Sequence, residues 1–312
     1  MVSKEEYKKY IKELVGKDSS NSNLKYLEKD YIKSSNRLSG IGVFMFFLCF
    51  ACVVLQQIEL VAVFIGISIL FFFIGINKKL NIQKARRYYE REYKDQAIGY
   101  LLKDYKYNYE RNGQINSNIF DNSQFERFYD RYSGLDKLSI NIPNNDNSVS
   151  DNYLTLCNLD VERREEDDEG EVRYVSVYRG VFGYAEFDKD FNCILCLDSS
   201  YFRRGVSLKK VVLEDITFNK KFMVSSSDQI EARYILTPEM MEYMLKLDRF
   251  FPGFKMTFVD NKMYFGFEGA DILELKPKDG TIESMFDNFY EEINVLLSLV
   301  ETIKNNDKVF KM

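Results

Sequence analysis

LSGIGVFMFFLCFACVVLQQIELVAVFIGISILFFFIGI, residues 38–76, decides the architecture. The stretch is almost continuously apolar, broken only by Gln56-Gln57-Ile58-Glu59. Leu38–Leu55 is 18 residues long and Leu60–Ile76 is 17. At about 1.5 Å per residue each makes a helix of roughly 25–27 Å. That is slightly short of a hydrocarbon core of about 30 Å, a gap that local thinning covers. One helix through the whole stretch would place Glu59 at mid-membrane, at a cost on the order of 3 kcal/mol. The break therefore belongs at an interface, and the expectation is a transmembrane helical hairpin. In the second segment thirteen residues are Leu, Ile, Val or Phe, which favours insertion by very roughly 4–8 kcal/mol. A soluble core helix carries a polar face, whereas these segments offer only Ser39 and Ser68. Ala62-x-x-x-Gly66 has the spacing for close approach of the two helices.

Charge sets the orientation. Lys25, Lys29, Lys33 and Arg37 precede the first segment, and Lys78, Lys79, Lys84, Arg86, Arg87, Arg91 and Lys94 follow the second. The connection between them has no Lys or Arg. Positive residues stay on the cytosolic side, so the expected localisation is the cell membrane, multi-pass, with both termini cytoplasmic. The apolar run starts late, is double and has no small-residue cleavage site after it, which argues against a cleaved signal peptide.

Working outward, residues 1–37 form an amphipathic cytosolic segment. Tyr7, Tyr10, Ile11 and Leu14 recur at helical spacing over 3–16, and the mixed charges Glu5, Glu6 and Glu13 favour packing on protein over lying on anionic lipid. Residues 77–112 continue as a juxtamembrane helix with Ile82, Ala85, Tyr89, Ala97, Leu101 and Tyr105 on one side, stopped by Asn112-Gly113. Residues 113–312 are enough for a domain with its own core.

The pattern in that domain is strand-rich first. Tyr153–Val161 pairs with Val172–Phe187, whose Gly180 and Gly183 suggest a bulge or turn. Between them Glu162–Glu171 reads as a solvated acidic hairpin tip. Further strands are Asn192–Leu197, Lys209–Leu213 and Lys221–Ser225, and Lys255–Val259 with Met263–Glu268 makes a hairpin across Asp260-Asn261. Asp228-x-x-Glu231 fits a capping box, the glutamate reaching back to the aspartate. Thr237-Pro238 is a second helix start, and a last helix runs over Thr281–Lys304. The fold class is α+β: a transmembrane hairpin, then a cytosolic antiparallel sheet with packed helices.

The chain has a net charge of −5 and neither His nor Trp. Without His the Ser-His and Cys-His nucleophile pairs and the usual catalytic zinc ligands are gone. Cys49 and Cys52 sit in the first apolar segment, Cys157 reads as a core residue, and Cys193-x-x-Cys196 lies in a strand with no second soluble pair to complete a thiolate site. Asp188-x-Asp190-x-Asn192 opens like a calcium loop, but Cys193 and Ser199 occupy the places of its glycine and bidentate glutamate. No metal or cofactor is expected. Acidity, with the basic residues gathered beside the membrane, excludes nucleic acid as the partner.

Leu213-Glu214-Asp215, Phe222-Met223-Val224 and Asp228-Gln229-Ile230-Glu231-Ala232-Arg233-Tyr234-Ile235-Leu236-Thr237-Pro238, with Tyr178-Arg179-Gly180-Val181-Phe182 and Arg131-Tyr132-Ser133-Gly134, carry a resemblance. The chain resembles an uncharacterised bacterial membrane-protein family with two N-terminal spans and a cytosolic domain of unknown function. The resemblance implies the architecture and brings no activity. Within these residues Asp228, Glu231 and Arg233 are a candidate recognition site. Against it stands a capping role for Asp228 and Glu231, and an ion pair of Arg233 with Glu214 or Asp215.

The expected function is a membrane-anchored cytosolic binding or scaffold module. Its partners would be the lipid bilayer and an unidentified protein or a second copy. The alternative is a carboxylate-dependent, Mg²⁺-assisted membrane-associated enzyme using Asp188, Glu214, Asp215, Asp228 and Glu231. A channel is disfavoured because neither span has a charge in its interior.

Overall fold

A computed structural model describes residues 2–16, 26, 29–54, 58–126, 128–142, 152–187, 190–198, 208–270 and 282–304. In chain order the elements are α1 (Lys4–Gly16), α2 (Lys29–Val54), α3 (Ile58–Leu101), β1 (Lys106–Glu110), α4 (Ser117–Ser123), β2 (Arg131–Ile142), β3 (Asn152–Glu166), β4 (Val172–Glu186), β5 (Leu195–Asp198), β6 (Lys209–Val211), α5 (Ile216–Lys221), β7 (Met223–Ser226), α6 (Gln229–Ile235), α7 (Pro238–Phe250), β8 (Phe254–Val259), β9 (Lys262–Glu268) and α8 (Ile282–Lys304). They fall into two compact units, one helical (Val2–Leu101 with the start of α8 to Tyr290) and one built on a sheet (Leu102 onward with the rest of α8).

In the helical unit, Tyr7, Ile11 and Leu14 form the buried stripe of α1. Its start is a capping box missing from the sequence reading: Ser3 Oγ accepts from Glu6 N at 3.3 Å while Ser3 N donates to Glu6 Oε2 at 3.2 Å. The helix packs on protein. The Tyr7 ring lies 5.5 Å from Tyr290, Tyr10 stacks on Tyr100 at 3.8 Å, and Lys8 pairs with Asp287 at 2.8 Å.

α2 and α3 run antiparallel along a seam of small residues. Ser35 donates to the Gly75 carbonyl at 3.4 Å and Ser68 to the Gly42 carbonyl at 2.9 Å. A side chain at Gly42 would stand 3.2 Å from the Phe72 nitrogen, and one at Gly75 would stand 2.7 Å from Ser39 Oγ. The Ala62-x-x-x-Gly66 expectation is corrected here, because an added carbon on Gly66 meets nothing within 4 Å. Gly66 sits two residues before Ser68, about 200° around the helix, so it faces away from α2. The seam follows a seven-residue spacing instead: Ser35 and Gly42 on one helix, Ser68 and Gly75 on the other. Among the described residues one helical stretch, Val61–Leu101, is long and apolar enough to cross a membrane, and little of its apolar window is buried.

The expected juxtamembrane helix over 77–112 ends at Leu101. A turn, with Tyr105 N donating to Leu102 O at 2.9 Å, leads into strand β1. Tyr107 and Tyr109 alternate with polar residues there, a period-2 pattern that suits a strand better than a helix.

The second unit is a nine-stranded antiparallel sheet in the order β1-β2-β3-β4-β9-β8-β5-β7-β6, so the α+β antiparallel expectation holds. The β8–β9 hairpin turns at Asp260, where φ is 52°. Strand β3 extends through the first half of the expected acidic loop, to Glu166, leaving a turn before β4 in which Asp167 N donates to Glu171 O at 3.1 Å. The acidic residues there are answered by arginines: Arg163 and Arg173 reach Glu165 at 2.9 and 3.2 Å, and Arg164 reaches Glu166 at 2.8 Å. The bulge in β4 falls at Val177, between the pairs Val161↔Tyr178 and Glu162↔Ser176, and not at its glycines. Gly180 instead permits close approach, because a Cβ there would lie 2.1 Å from the Phe267 carbonyl oxygen. On one part of the sheet Phe120, Phe125, Tyr178, Phe182 and Tyr264 close over Cys157, with Phe120 and Phe182 edge to face at 5.0 Å.

Candidate binding surface

Three consecutive helices start on side-chain caps. Asp215 accepts from Thr217 N and Phe218 N at 2.7 and 3.0 Å to begin α5. Asp228 accepts from Ile230 N and Glu231 N at 2.7 and 3.1 Å to begin α6. Thr237 accepts from Met240 N at 3.3 Å to begin α7, with Pro238 in its first turn. The full capping box at Asp228 is not made. The Asp228 amide donates to Ser226 Oγ at 3.1 Å, so Glu231 has no amide to reach back to. Ser226 is the organising residue that the sequence reading missed: its hydroxyl also donates to the Asp228 carbonyl at 2.7 Å, fixing β7 to α6. A serine just before an Asp cap carries this signal, since both side chains compete for local backbone groups.

Arg233 spends its donors on backbone. Nη1 donates to Gln229 O at 2.6 Å and Nη2 to Val212 O at 3.0 Å, while Nε lies 3.7 Å from Glu214 Oε1. The arginine thereby clips α6 to the end of β6. Asp228, Glu231 and Arg233 are all on α6 or its cap, yet they do not converge on a common point through any of these bonds. Glu214 projects outward with its side chain 80% exposed. Asp215 and Asp228 cap different helices, and Asp188 lies outside the described residues. Among the described residues no three of His, Cys, Asp and Glu gather to hold a metal ion.

The thiols are core groups. Burial pushes the Cys157 thiol up to about 12. Burial also raises Cys193, and Cys196 Sγ accepts from Thr257 Oγ1 at 3.8 Å between strands. Both cysteines of the C-x-x-C are unbridged and buried, the opposite of the exposed, electropositive setting a reactive thiol needs.

What the clip does leave open is apolar. Ile230 and Tyr234, one turn apart on α6, are 65% and 40% exposed, and Val212 and Ile216 on the segments tied to it are 61% and 71% exposed. Depressions lined by Asp198, Lys210 and Asn219, and in the other unit by Lys8, Ile11 and Phe286, are each about 80 Å³. Small-molecule sites occupy about 300–1,000 Å³. Among the described residues, these two depressions are well below that size.

Residues 176–305 match the family described as protein of unknown function (DUF3137). The DUF3137 stretch opens inside β4, ends with α8 and contains the caps, the arginine clip and the apolar residues above. Among solved structures the chain is similar to the crystal structure of the mycobacterial trehalose monomycolate transport factor A, TtfA, at 9% identity and a TM-score of 0.33, over 65% of this chain and 96% of that one. That likeness carries no functional argument. Among curated proteins none matches.

Proposed function

We propose that the chain is a membrane-anchored binding module: α2 and α3 both enter the bilayer, both chain ends lie on the cytosolic side, and the sheet unit offers the face around α6 to a protein partner. One observation carries the anchoring. The helix pair is inverted relative to a soluble one, with Ser35 and Ser68 buried in the seam while Phe44, Phe46, Phe47, Ile69, Phe72 and Phe73 are 50–67% exposed outside it. In water that surface is a liability, whereas in lipid it is the favourable arrangement, with small and hydroxyl residues inside and hydrocarbon outside. The lysines and arginines that flank both segments, with none between them, support the orientation. The exposed residues Val212, Ile216, Ile230 and Tyr234 support the binding role, and Arg233 sits among them as a rigid polar neighbour.

The test is extraction. Membranes from cells making the full chain are washed with alkaline carbonate and then with detergent. The chain is expected to stay with the membranes through the first wash and to leave only in the second. Release by carbonate alone contradicts the anchor. Turnover of a substrate by the purified chain contradicts the binding role.

A further inference from the structure

We propose that β1 is the pairing edge of a homodimer, in which Lys106–Glu110 aligns antiparallel with the same strand of a second copy. β1 ends the sheet, and among the described residues β2 is its sole strand neighbour. One row of its backbone groups therefore faces outward, a ready template for another strand. Two bonds fix which residues own that row. The Arg111 carbonyl accepts from Asp136 N, toward β2, whereas the Glu110 carbonyl accepts from Gly113 N, off the ladder. Alternation along an antiparallel pair then turns the amides and carbonyls of Tyr107 and Tyr109 toward β2, and those of Lys106 and Asn108 outward together with the Glu110 amide, while the Glu110 carbonyl already holds Gly113 N and would share that bond with a second strand.

The strand reads Lys-Tyr-Asn-Tyr-Glu, and its charges are self-complementary. A two-fold axis through Asn108 sets Lys106 opposite Glu110 of the second copy, and the reverse, with Tyr107 opposite Tyr109 and Asn108 opposite itself. The residues whose backbone points outward are thus the same ones that meet each other. Both charged pairs are of opposite sign, and aromatic residues face aromatic ones, the cross-strand pairings that stabilise sheets. All of β1 except Tyr109 is exposed, and its register with β2 is unbroken.

The other end of the sheet behaves differently. β6 reads Lys-Lys-Val, and the same operation there sets lysine against lysine, a like-charge contact of the kind that protects an edge. The charge pattern of β1 selects a copy of itself over an arbitrary strand, which would need only the backbone row. Five residues a side is far below the roughly 20–30 of a standard interface, so the pairing is reversible and depends on concentration. It does not require α2 and α3 to enter a bilayer.

The test is register-specific crosslinking of the full chain in detergent micelles. In a hydrogen-bonded pair the Asn108 Cα atoms would stand about 5.5 Å apart, inside the disulfide range. Asn108→Cys is expected to give a disulfide-linked dimer under mild oxidation, above the background set by the wild-type chain with its five cysteines. Lys106→Cys, whose two copies would be offset by four residues or roughly 14 Å, is expected to stay at background. Adding Lys106→Glu to Asn108→Cys is expected to lower the dimer yield at least fivefold. No dimer from Asn108→Cys, equal yields from the two cysteine positions, or a yield indifferent to Lys106→Glu each overturns the proposal.

Discussion

Ser68 Oγ donates to the Gly42 carbonyl at 2.9 Å, a hydrogen bond buried between two helices whose outer faces are phenylalanine, isoleucine and leucine. The bond closes a polar group inside the pair and leaves hydrocarbon outside. Such bonds contribute about 0.6 kcal/mol on average between membrane helices.

Gly42→Leu should push α2 and α3 apart, because its first side-chain carbon would already stand 3.2 Å from backbone at Phe72. A loss of about 1–3 kcal/mol is expected from such overpacking. Gly66→Leu, facing open space, should stay within about 0.5 kcal/mol of wild type. Unfolding by sodium dodecyl sulfate in mixed micelles measures both. Equal losses would remove the seam from the account.

Gly180→Ala should cost the sheet unit about 3 kcal/mol or more. The new carbon would lie 2.1 Å from the Phe267 carbonyl oxygen, and that oxygen is backbone and cannot swing aside. Urea denaturation followed by circular dichroism reads the loss. A wild-type midpoint would show that β4 and β9 are not this close.

The α6 start separates two carboxylates that look alike in sequence. Asp228→Ala removes both acceptor bonds to the first turn and should cost about 1 kcal/mol. Glu231→Ala should cost less than about 0.5 kcal/mol, because Ser226 already accepts from the amide that a capping glutamate would take. Thermal melts of the two variants decide the order, and a larger loss at Glu231 would restore the reciprocal box.

Alkaline pH should weaken the sheet unit. Burial pushes the Cys157 thiol and the Tyr264 phenol up to about 12, while in an unfolded chain they ionise near about 8.5 and about 10. With folded values raised, the stability they contribute is complete below pH about 8.5 and is lost as pH climbs toward about 12. Urea midpoints taken across that window should fall, and Cys157→Ala should flatten the first part of the decline. A Cys157 thiol that alkylates readily in the native protein at neutral pH, read by mass mapping, would contradict its burial.

Local chemistry made much of this fold legible. Thr237-Pro238, Asp228 and the Asp260-Asn261 turn each carry their own backbone geometry, and the structure has them where the pattern puts them. Elements that depend on distant partners were harder to read. β2 alternates poorly because its register with β3 shifts between Leu135 and Leu138, where Asp136 has a φ of 60°. β1 carries a two-residue alternation of only five residues, too short to outweigh the helical pattern running into it from residue 77 until β2 pairs with it. At Gly66 the four-residue spacing points to the wrong face, because many small residues fit it and only the partner helix selects among them. At the candidate site the carboxylates are legible, as is the local Ser226–Asp228 pairing in principle, but the Arg233 clip joins α6 to Val212, a segment that the sequence keeps apart from it.

The absence of tryptophan makes the proposed anchor directly measurable. A single Phe47→Trp or Phe72→Trp, at positions 67% and 50% exposed on the outer faces of α2 and α3, becomes the sole indole in the chain. In vesicles containing brominated phosphatidylcholine, both probes are expected to emit at short wavelength, to be quenched by the brominated tails and to ignore acrylamide. Long-wavelength emission quenched by acrylamide and untouched by bromine would put those side chains in water and end the account of a membrane-embedded pair.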